Sequence, residues 1–154
     1  MSKVPVLVTG GAGYIGSHAV LALKDAGWPV AVIDDLSNGT RHVVPEGVPF
    51  FEGNIADRTL VNRIFKDQQI GAIMHFAGSI VVPESVEKPL DYYRNNTIAS
   101  HSLISAAVAA VSVNLLRILD LHFADAAEPR FRPGFGVATR DCGDVAGVPF
   151  ATNT

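Results

Sequence analysis

A run of glycines follows the first apolar stretch of the chain, residues 4–8. Glycines 11, 13 and 16 fit the spacing G-x-G-x-x-G, and glycines 10, 13 and 16 fit G-x-x-G-x-x-G. In such segments one glycine allows a sharp turn out of a strand, one lets the backbone approach a pyrophosphate, and one lets the next helix pack closely. The free N–H groups at the start of that helix attract anions. The segment therefore predicts a strand–turn–helix unit that holds the phosphates of a dinucleotide.

An ordinary structural turn is the alternative interpretation, because glycine is common in turns of every kind. The surrounding sequence favours the dinucleotide. A helix-like run over residues 14–26 follows the glycines, and the apolar run 30–33 then ends at Asp34 and Asp35. An acidic residue at the end of the second strand, about 20 residues beyond the glycines, is placed to bind the two ribose hydroxyls. A carboxylate there repels a 2′-phosphate, so NAD is favoured over NADP. The alternative is that the two acids only belong to a solvated loop, and this alternative is stronger for Asp35 than for Asp34.

The remaining pattern alternates short strands with helices. We predict strands over residues 3–9, 30–33, 50–52 and 70–76, and helices over residues 14–26, 58–67, 83–86 and 90–110. Asp57 is the expected N-cap of the second helix. Asn54 follows the third strand, where its side chain either pairs with an adenine or only makes a turn. The order predicts an α/β fold with a Rossmann-like, doubly wound parallel sheet.

Composition narrows the class of protein further. The 154 residues are 48% hydrophobic, which predicts a globular domain, and the net charge of -3 gives no reason to expect nucleic acid. The single Cys142 forms no internal disulfide. The start has no signal segment, and no apolar run reaches the roughly 18 residues of a membrane span. We expect a soluble cytoplasmic protein without a metal site.

The character of the sequence changes near residue 117. Residues 114–116 look like the opening of a fifth strand, but residues 117–123 have neither helix nor strand period, and residues 129–149 are dense in Pro, Gly and Arg. We predict a dinucleotide-binding domain over residues 1–116 with an incomplete sheet, followed by an irregular tail over residues 117–154. A shifted reading frame is one hypothesis for such a tail.

The segment from Thr9 to His18 resembles the start of the extended short-chain dehydrogenase/reductase family. Residues 34–39, 75–78 and 84–96 are similar to its UDP-glucose 4-epimerase branch, which interconverts UDP-glucose and UDP-galactose. The similarity covers residues 1–116. It implies a permanently bound NAD and, in a full-length relative, a UDP-sugar substrate.

The resemblance also implies a set of cofactor contacts. The pyrophosphate turn comprises Gly10, Gly13, Tyr14, Ile15 and Gly16, and the loop around the adenosine ribose comprises Asp34, Asp35, Leu36, Ser37, Asn38 and Gly39. The residues beside the adenine are Asn54 and Ile55. The segment after the fourth strand contributes Phe76, Ala77, Gly78 and Ser79, and the long helix contributes Asn95. Two positions depart from the family pattern. Asn54 stands where an aspartate is usual, and Ile80 stands where a lysine is common.

The catalytic groups of the family have no counterpart in this sequence. The family uses a Ser or Thr after the fifth strand and a tyrosine in a Tyr-x-x-x-Lys pair, whereas no tyrosine follows Tyr93 and no lysine follows Lys88. We therefore assign no catalytic residue, and expect a chain that is inactive alone and no family-type homodimer. The alternatives are a non-catalytic dinucleotide-binding fragment, a related sugar-nucleotide dehydratase, or a reductase that uses Tyr92 or Tyr93 with Lys88.

Overall fold

Strands and helices alternate through the part of the chain that the computed structural model describes, residues 3–110 and 118–119. The predicted strand at 114–116, Cys142 and all of the predicted tail except 118–119 lie outside it. In order, the elements are β1 (Val6–Thr9), α1 (Tyr14–Asp25), β2 (Val30–Asp34), a 3-10 turn (Arg41–Val43), β3 (Phe50–Glu52), α2 (Arg58–Asp67), β4 (Ala72–His75), α3 (Val82–Glu87), α4 (Pro89–Tyr93), a π-helical segment (Arg94–Ala99), α5 (Ser100–Ala110) and β5 (Ile118–Leu119).

The strands form one parallel sheet in the order β3-β2-β1-β4-β5. The chain builds outward from β1 in one direction as far as β3, and then crosses over to place β4 on the other side of β1. The predicted α/β class and the Rossmann-like sheet are thereby confirmed. The fifth strand pairs Ile118 with Ile73, so a short strand lies inside the segment that the sequence predicted to be irregular.

Side chains of β1, β2 and β4 alternate between two apolar layers, as the two-residue period of a strand requires. Leu7, Ala31 and Ile73 are neighbours across the sheet and face α2 and α5. Val8 and Val32 face the opposite side, where α1 contributes Val20. Both faces of the sheet are therefore covered by helix, which explains why these strands are apolar at nearly every position.

The ends of the elements are fixed by local hydrogen bonds. The first strand begins at Val6 rather than at residue 3, and the carbonyl of Pro5 accepts hydrogen bonds from the N–H groups of Gly71 and Ala72. The predicted cap of α2 is confirmed, because the Asp57 carboxylate accepts hydrogen bonds from the N–H groups of Thr59 and Leu60.

The predicted helix over 90–110 is not one regular helix. A π-helical segment, Arg94–Ala99, joins the short α4 to α5. A π-helical segment leaves one residue more in a turn than an α-helix and is often found at functional sites. The segment contains Asn95 and Asn96, and asparagine is unfavourable in the interior of an α-helix. Within residues 3–110 and 118–119, no helix is long and apolar enough to cross a membrane, and no cluster of potential metal ligands is present.

Candidate functional site

A cleft lies at the carboxyl ends of the first four strands. In a doubly wound sheet, ligands bind where the strand order reverses, which here is the boundary between β1 and β4. The lining comes from the end of β2, from the segments that follow the four strands, and from one residue of the π-helical segment. The residues are Gly10, Gly13, Ile33, Asp34, Asp35, Ser37, Asn38, Gly39, Gly53, Asn54, Ile55, Phe76, Ala77, Gly78, Ser79 and Asn95.

Gly10 and Gly16 make the turn between β1 and α1 possible. Gly10 has a φ of +68°, and a Cβ there would lie 2.6 Å from the backbone nitrogen of Ala77 on the neighbouring strand's extension. A Cβ on Gly16 would lie 2.1 Å from the carbonyl oxygen of Gly10. Of the two spacings in the sequence, the one through residues 10, 13 and 16 therefore describes the turn and the close helix packing. Gly11 is needed for another reason, since a Cβ there would lie 2.6 Å from Val32.

Helix α1 begins at the cleft, because its N-cap residue Gly13 lines it. Gly13 is the N-cap residue, and no side chain caps the helix. The first N–H groups of a helix have no partner within the helix, so those of Tyr14, Ile15 and Gly16 remain available to an anion. The positive end of the helix dipole adds to this attraction.

Asp34 ties the end of β2 to the glycine turn. Its side chain is 8% exposed. One carboxylate oxygen accepts a hydrogen bond from the N–H of Ala12 at 2.9 Å, and the other accepts one from Leu36 at 2.8 Å. A carboxylate has about four acceptor positions, so about two remain for hydroxyl groups of a ligand.

Asp35 and Asn54 form a second polar pair, at the ends of β2 and β3. The side-chain nitrogen of Asn54 donates to Asp35 Oδ2 at 3.2 Å, and Asn54 Oδ1 accepts from the N–H of Ala56 at 2.9 Å. Asp35 Oδ1 accepts from the N–H of Ser37 at 3.0 Å. The predicted adenine contact of Asn54 is thus a residue whose amide is already engaged on both sides.

Two asparagines hold the wall that follows β4. Asn96 Oδ1 accepts a hydrogen bond from the N–H of Ser79 at 2.7 Å, and Asn96 Nδ2 donates to the carbonyl of Ser79 at 2.8 Å. Asn95 Nδ2 donates to Ser79 Oγ at 2.8 Å. Both backbone groups of Ser79 are therefore satisfied by one side chain, much as a neighbouring strand would satisfy them.

His75 links the ends of two strands to α5. Its Nδ1 shares a hydrogen bond with the buried Thr9 hydroxyl at 2.6 Å, and its Nε2 shares one with Ser100 Oγ at 2.8 Å. Both ring nitrogens therefore have protein partners.

Most of the predicted cofactor residues lie together at the cleft, but four do not line it: Tyr14, Ile15, Gly16 and Leu36. The side chain of Tyr14 is 84% exposed and its ring lies against His18. Two lining residues were missed, Ile33 and Gly53, although both stand next to strand ends that the pattern had located.

Two residues of the tyrosine alternative, Tyr92 and Lys88, both pair with Glu84. The Tyr92 hydroxyl lies 2.7 Å from the carbonyl oxygen of Val81 and 3.0 Å from Glu84 Oε2, so these two acceptors share its single proton, while the Lys88 ammonium pairs with Glu84 Oε1 at 3.2 Å. Partial burial, and then the Glu84 carboxylate, raise the pKa of Tyr92 above its usual value. A general base needs the opposite shift, toward neutral pH.

Comparison with known proteins gives a consistent result. The curated UDP-glucose 4-epimerase of Azospirillum brasilense is 60% identical over 105 residues, which are 68% of this chain and 30% of that protein. The UDP-glucose 4-epimerase of Haemophilus influenzae is 37% identical over 157 aligned residues, covering 96% of this chain and 44% of that protein. The chain thus spans between about a third and a half of these relatives. The second match reaches into residues 117–154, where the sequence predicted no family likeness; the boundary at 116 stays a prediction.

Solved structures agree with the sequence matches. The UDP-glucose 4-epimerase of Thermus thermophilus, in complex with NAD, has a TM-score of 0.67 and 40% identity over 69% of this chain and 34% of that one. The enzyme from Brucella ovis, also in complex with NAD, has a TM-score of 0.69 and 38% identity over 75% of this chain and 35% of that one. The sequence model of the NAD dependent epimerase/dehydratase family matches residues 6–122. With this match over most of its length, the chain belongs to the NAD dependent epimerase/dehydratase family.

Proposed function

We propose that the described part of the chain binds NAD at the carboxyl edge of its sheet, as the cofactor-binding part of a UDP-glucose 4-epimerase. The observation that carries the proposal is the junction of Asp34 with the glycine turn. A buried carboxylate with free acceptor positions stands directly behind a helix start whose N–H groups are uncapped. Diol and diphosphate are the two chemical groups that such a pair of sites recognises.

Each part of the cleft has a role in this proposal. The N–H groups at the start of α1 hold the pyrophosphate, and Asp34 accepts hydrogen bonds from the adenosine ribose. The wall of residues 76–79 has small side chains after Phe76, which lets a cofactor lie close to the backbone. Bound NAD would supply a hydride acceptor that can also return the hydride, which is the redox chemistry of an epimerase.

The proposal assigns no proton transfer to this chain. A hydroxyl must lose its proton as hydride leaves its carbon, and that step needs a base near neutral pKa. The sequence has no Tyr-x-x-x-Lys pair, and Tyr92 is engaged with Glu84. We therefore propose that the chain holds NAD but does not by itself interconvert UDP-glucose and UDP-galactose. A dehydratase is the second candidate, because the family description covers both reactions.

Calorimetric titration of the purified full chain with NAD and with NADP tests the binding proposal. We expect NAD to bind and NADP to bind at least about tenfold more weakly, because Asp34 faces the added phosphate. Asp34→Asn removes the charge that strengthens the ribose hydrogen bonds, and we expect NAD affinity to fall by about 10- to 100-fold. Asp25→Asn, at the other end of α1, is the matched control and should leave affinity unchanged. The proposal would be refuted if the folded chain did not bind NAD, or if it bound NADP more tightly than NAD.

Incubation with UDP-galactose tests the proposal that the chain does not by itself interconvert the two UDP-sugars. We expect no UDP-glucose to form when the purified chain is supplied with NAD and no other protein. Turnover that persists through repeated purification would show that a proton-transfer group is present after all.

A further inference from the structure

The last residues of β1 and β4 are paired across the sheet, and their side chains are hydrogen-bonded. Thr9 stands opposite His75 in the register of the two strands. The Thr9 side chain is buried, and its hydroxyl oxygen lies 2.6 Å from His75 Nδ1. His75 Nε2 lies 2.8 Å from Oγ of Ser100, the first residue of α5. Three polar side chains therefore form a continuous chain from the end of β1 to a helix on one face of the sheet.

The same Thr9 hydroxyl contacts the wall of the cleft. Its oxygen accepts hydrogen bonds from the N–H groups of Phe76 at 3.3 Å and of Ala77 at 3.4 Å. The N–H of Phe76 is shared with the Thr9 carbonyl at 3.0 Å, whereas the hydroxyl is the acceptor that the described part of the chain offers to Ala77. Phe76 and Ala77 both line the cleft. The position of this part of the wall therefore depends on the direction in which the Thr9 hydroxyl presents its lone pairs.

The surrounding groups determine where the Thr9 proton points. A hydroxyl has one proton and two lone pairs. The N–H groups of Phe76 and Ala77 can only donate, so they use the lone pairs, and the proton needs a different partner. Among residues 3–110 and 118–119, the acceptor within reach of this proton is His75 Nδ1. A buried hydroxyl proton left without an acceptor is destabilising, so Nδ1 is the accepting, unprotonated nitrogen of the ring.

We propose that His75 is a positioning residue for the cofactor wall: its neutral imidazole accepts the Thr9 hydrogen bond at Nδ1 and donates from Nε2 to Ser100. This inference rests on the proposed binding of NAD. In a neutral imidazole one nitrogen accepts and the other donates, so the bond at one end fixes the bond at the other. An imidazole protonated at Nδ1 would donate to an oxygen whose lone pairs the two backbone N–H groups already use. The N–H of Ala77 would then lose its acceptor, and the wall would move away from β1.

Nitrogen-15 NMR spectra of the histidine rings, recorded on the labelled full chain at neutral pH, test the proposed protonation state. An unprotonated ring nitrogen resonates far downfield of a protonated one. The signals that vanish in His75→Leu identify its ring among the five histidines of the sequence. We expect Nδ1 to be unprotonated and Nε2 to be protonated. A ring that carries a proton on Nδ1, alone or together with Nε2, would refute the proposal.

Two substitutions of similar shape test the effect on cofactor binding. The asparagine oxygen is as many bonds from the backbone as Nδ1, so His75→Asn keeps an acceptor for the Thr9 proton, whereas His75→Leu does not. Both variants lose the hydrogen bond to Ser100. We expect calorimetry to show NAD affinity reduced by about tenfold in His75→Leu and by less than about threefold in His75→Asn. A loss of packing that the two variants share cancels in this comparison.

Thr9→Val supplies the matched control, because it removes the hydroxyl through which His75 acts. In that background we expect His75→Leu and His75→Asn to bind NAD equally well. A difference that persists without the hydroxyl would refute an action through Thr9. Equal affinities of the two variants in the original background would refute the positioning role while NAD binding stands. If the folded original chain does not bind NAD, the proposed function fails, and the role of His75 in cofactor binding fails with it.

Discussion

Gly16→Ala isolates the contact that holds α1 against the turn after β1. A methyl group at this position would lie 2.1 Å from the Gly10 carbonyl oxygen, 2.8 Å from the Gly10 carbonyl carbon and 2.9 Å from Gly11 Cα. All three atoms are backbone, so no side chain can rotate away. Real Cβ atoms almost never approach another heavy atom within 3.0 Å. The helix start must therefore move away from the strand end by roughly 0.9 Å.

Two effects of opposite sign decide the stability of this variant. Alanine in place of glycine within a helix stabilises by roughly 0.5–1 kcal/mol, because the unfolded chain loses freedom. Overpacking in a well-packed interior costs typically about 1–3 kcal/mol, and backbone contacts leave little room to relax. We expect a net destabilisation of about 1–2 kcal/mol. For a chain of this size, that lowers the melting temperature by roughly 2–8 °C.

Thermal unfolding of Gly16→Ala and Ala22→Gly, followed by circular dichroism, tests this reasoning. Ala22 lies on the exposed side of the same helix, so Ala22→Gly measures the helix propensity alone and should cost about 1 kcal/mol. The displaced helix start should also weaken NAD binding, whereas Ala22→Gly should not. If Gly16→Ala melts at or above the temperature of the original chain and binds NAD normally, the close approach to Gly10 is not a constraint.

Three further changes test other contacts. Asp57→Ala removes the N-cap of α2 and should cost about 1 kcal/mol in the free energy of unfolding, measured by urea denaturation. Asn96→Asp keeps the acceptor for the Ser79 N–H but loses the donor to the Ser79 carbonyl, so we expect a lower melting temperature at neutral pH. The melting temperature should recover on acidification, when the introduced carboxyl regains a proton. Asn96→Ala should show no such recovery. The hydrogen bond from Tyr92, and then Lys88, lower the pKa of Glu84 below its ordinary 4.5. The Glu84 carboxylate therefore stabilises the fold above pH 4.5 and loses that effect as the pH falls through its lowered pKa. We expect the melting temperature of Tyr92→Phe to decline less steeply below pH 4.5 than that of the original chain.

The elements around the cleft could be predicted because each has a local signal. The alternation of Leu7 with Val8 produces two apolar faces whatever the details of packing, and the acidic residue after the second strand follows from its place in the strand order. The N-cap at Asp57 is equally local, since its carboxylate reaches only two and three residues ahead. In each case the partner is close in sequence or is fixed by the period of the element.

The contacts that the sequence did not predict join residues far apart in the chain. The two hydrogen bonds between Asn96 and Ser79 join residues 17 positions apart, and Asn96 lies in the π-helical segment. Asparagine is a poor helix former, but the residue type alone does not say what the side chains of Asn95 and Asn96 contact. Tyr14 is a second example: it stands beside the predicted turn, and its exposed ring lies against His18. Side-chain direction at a loop-to-helix junction follows from backbone angles that the residue types alone do not determine.

Leu36 connects the stability of the cleft to the strain it contains. It has a φ of +57°, a conformation that costs a non-glycine residue roughly 1–2 kcal/mol. Two contacts hold it there: its N–H donates to Asp34, and its side chain packs beside the apolar layer under α1. Leu36 therefore holds the loop that follows β2 in place, although it does not line the cleft. Since the protein itself already fixes Asp34, Asp35 and Ser79 by hydrogen bonds, a ligand need not order these walls on binding, and its affinity is not reduced by that entropy cost.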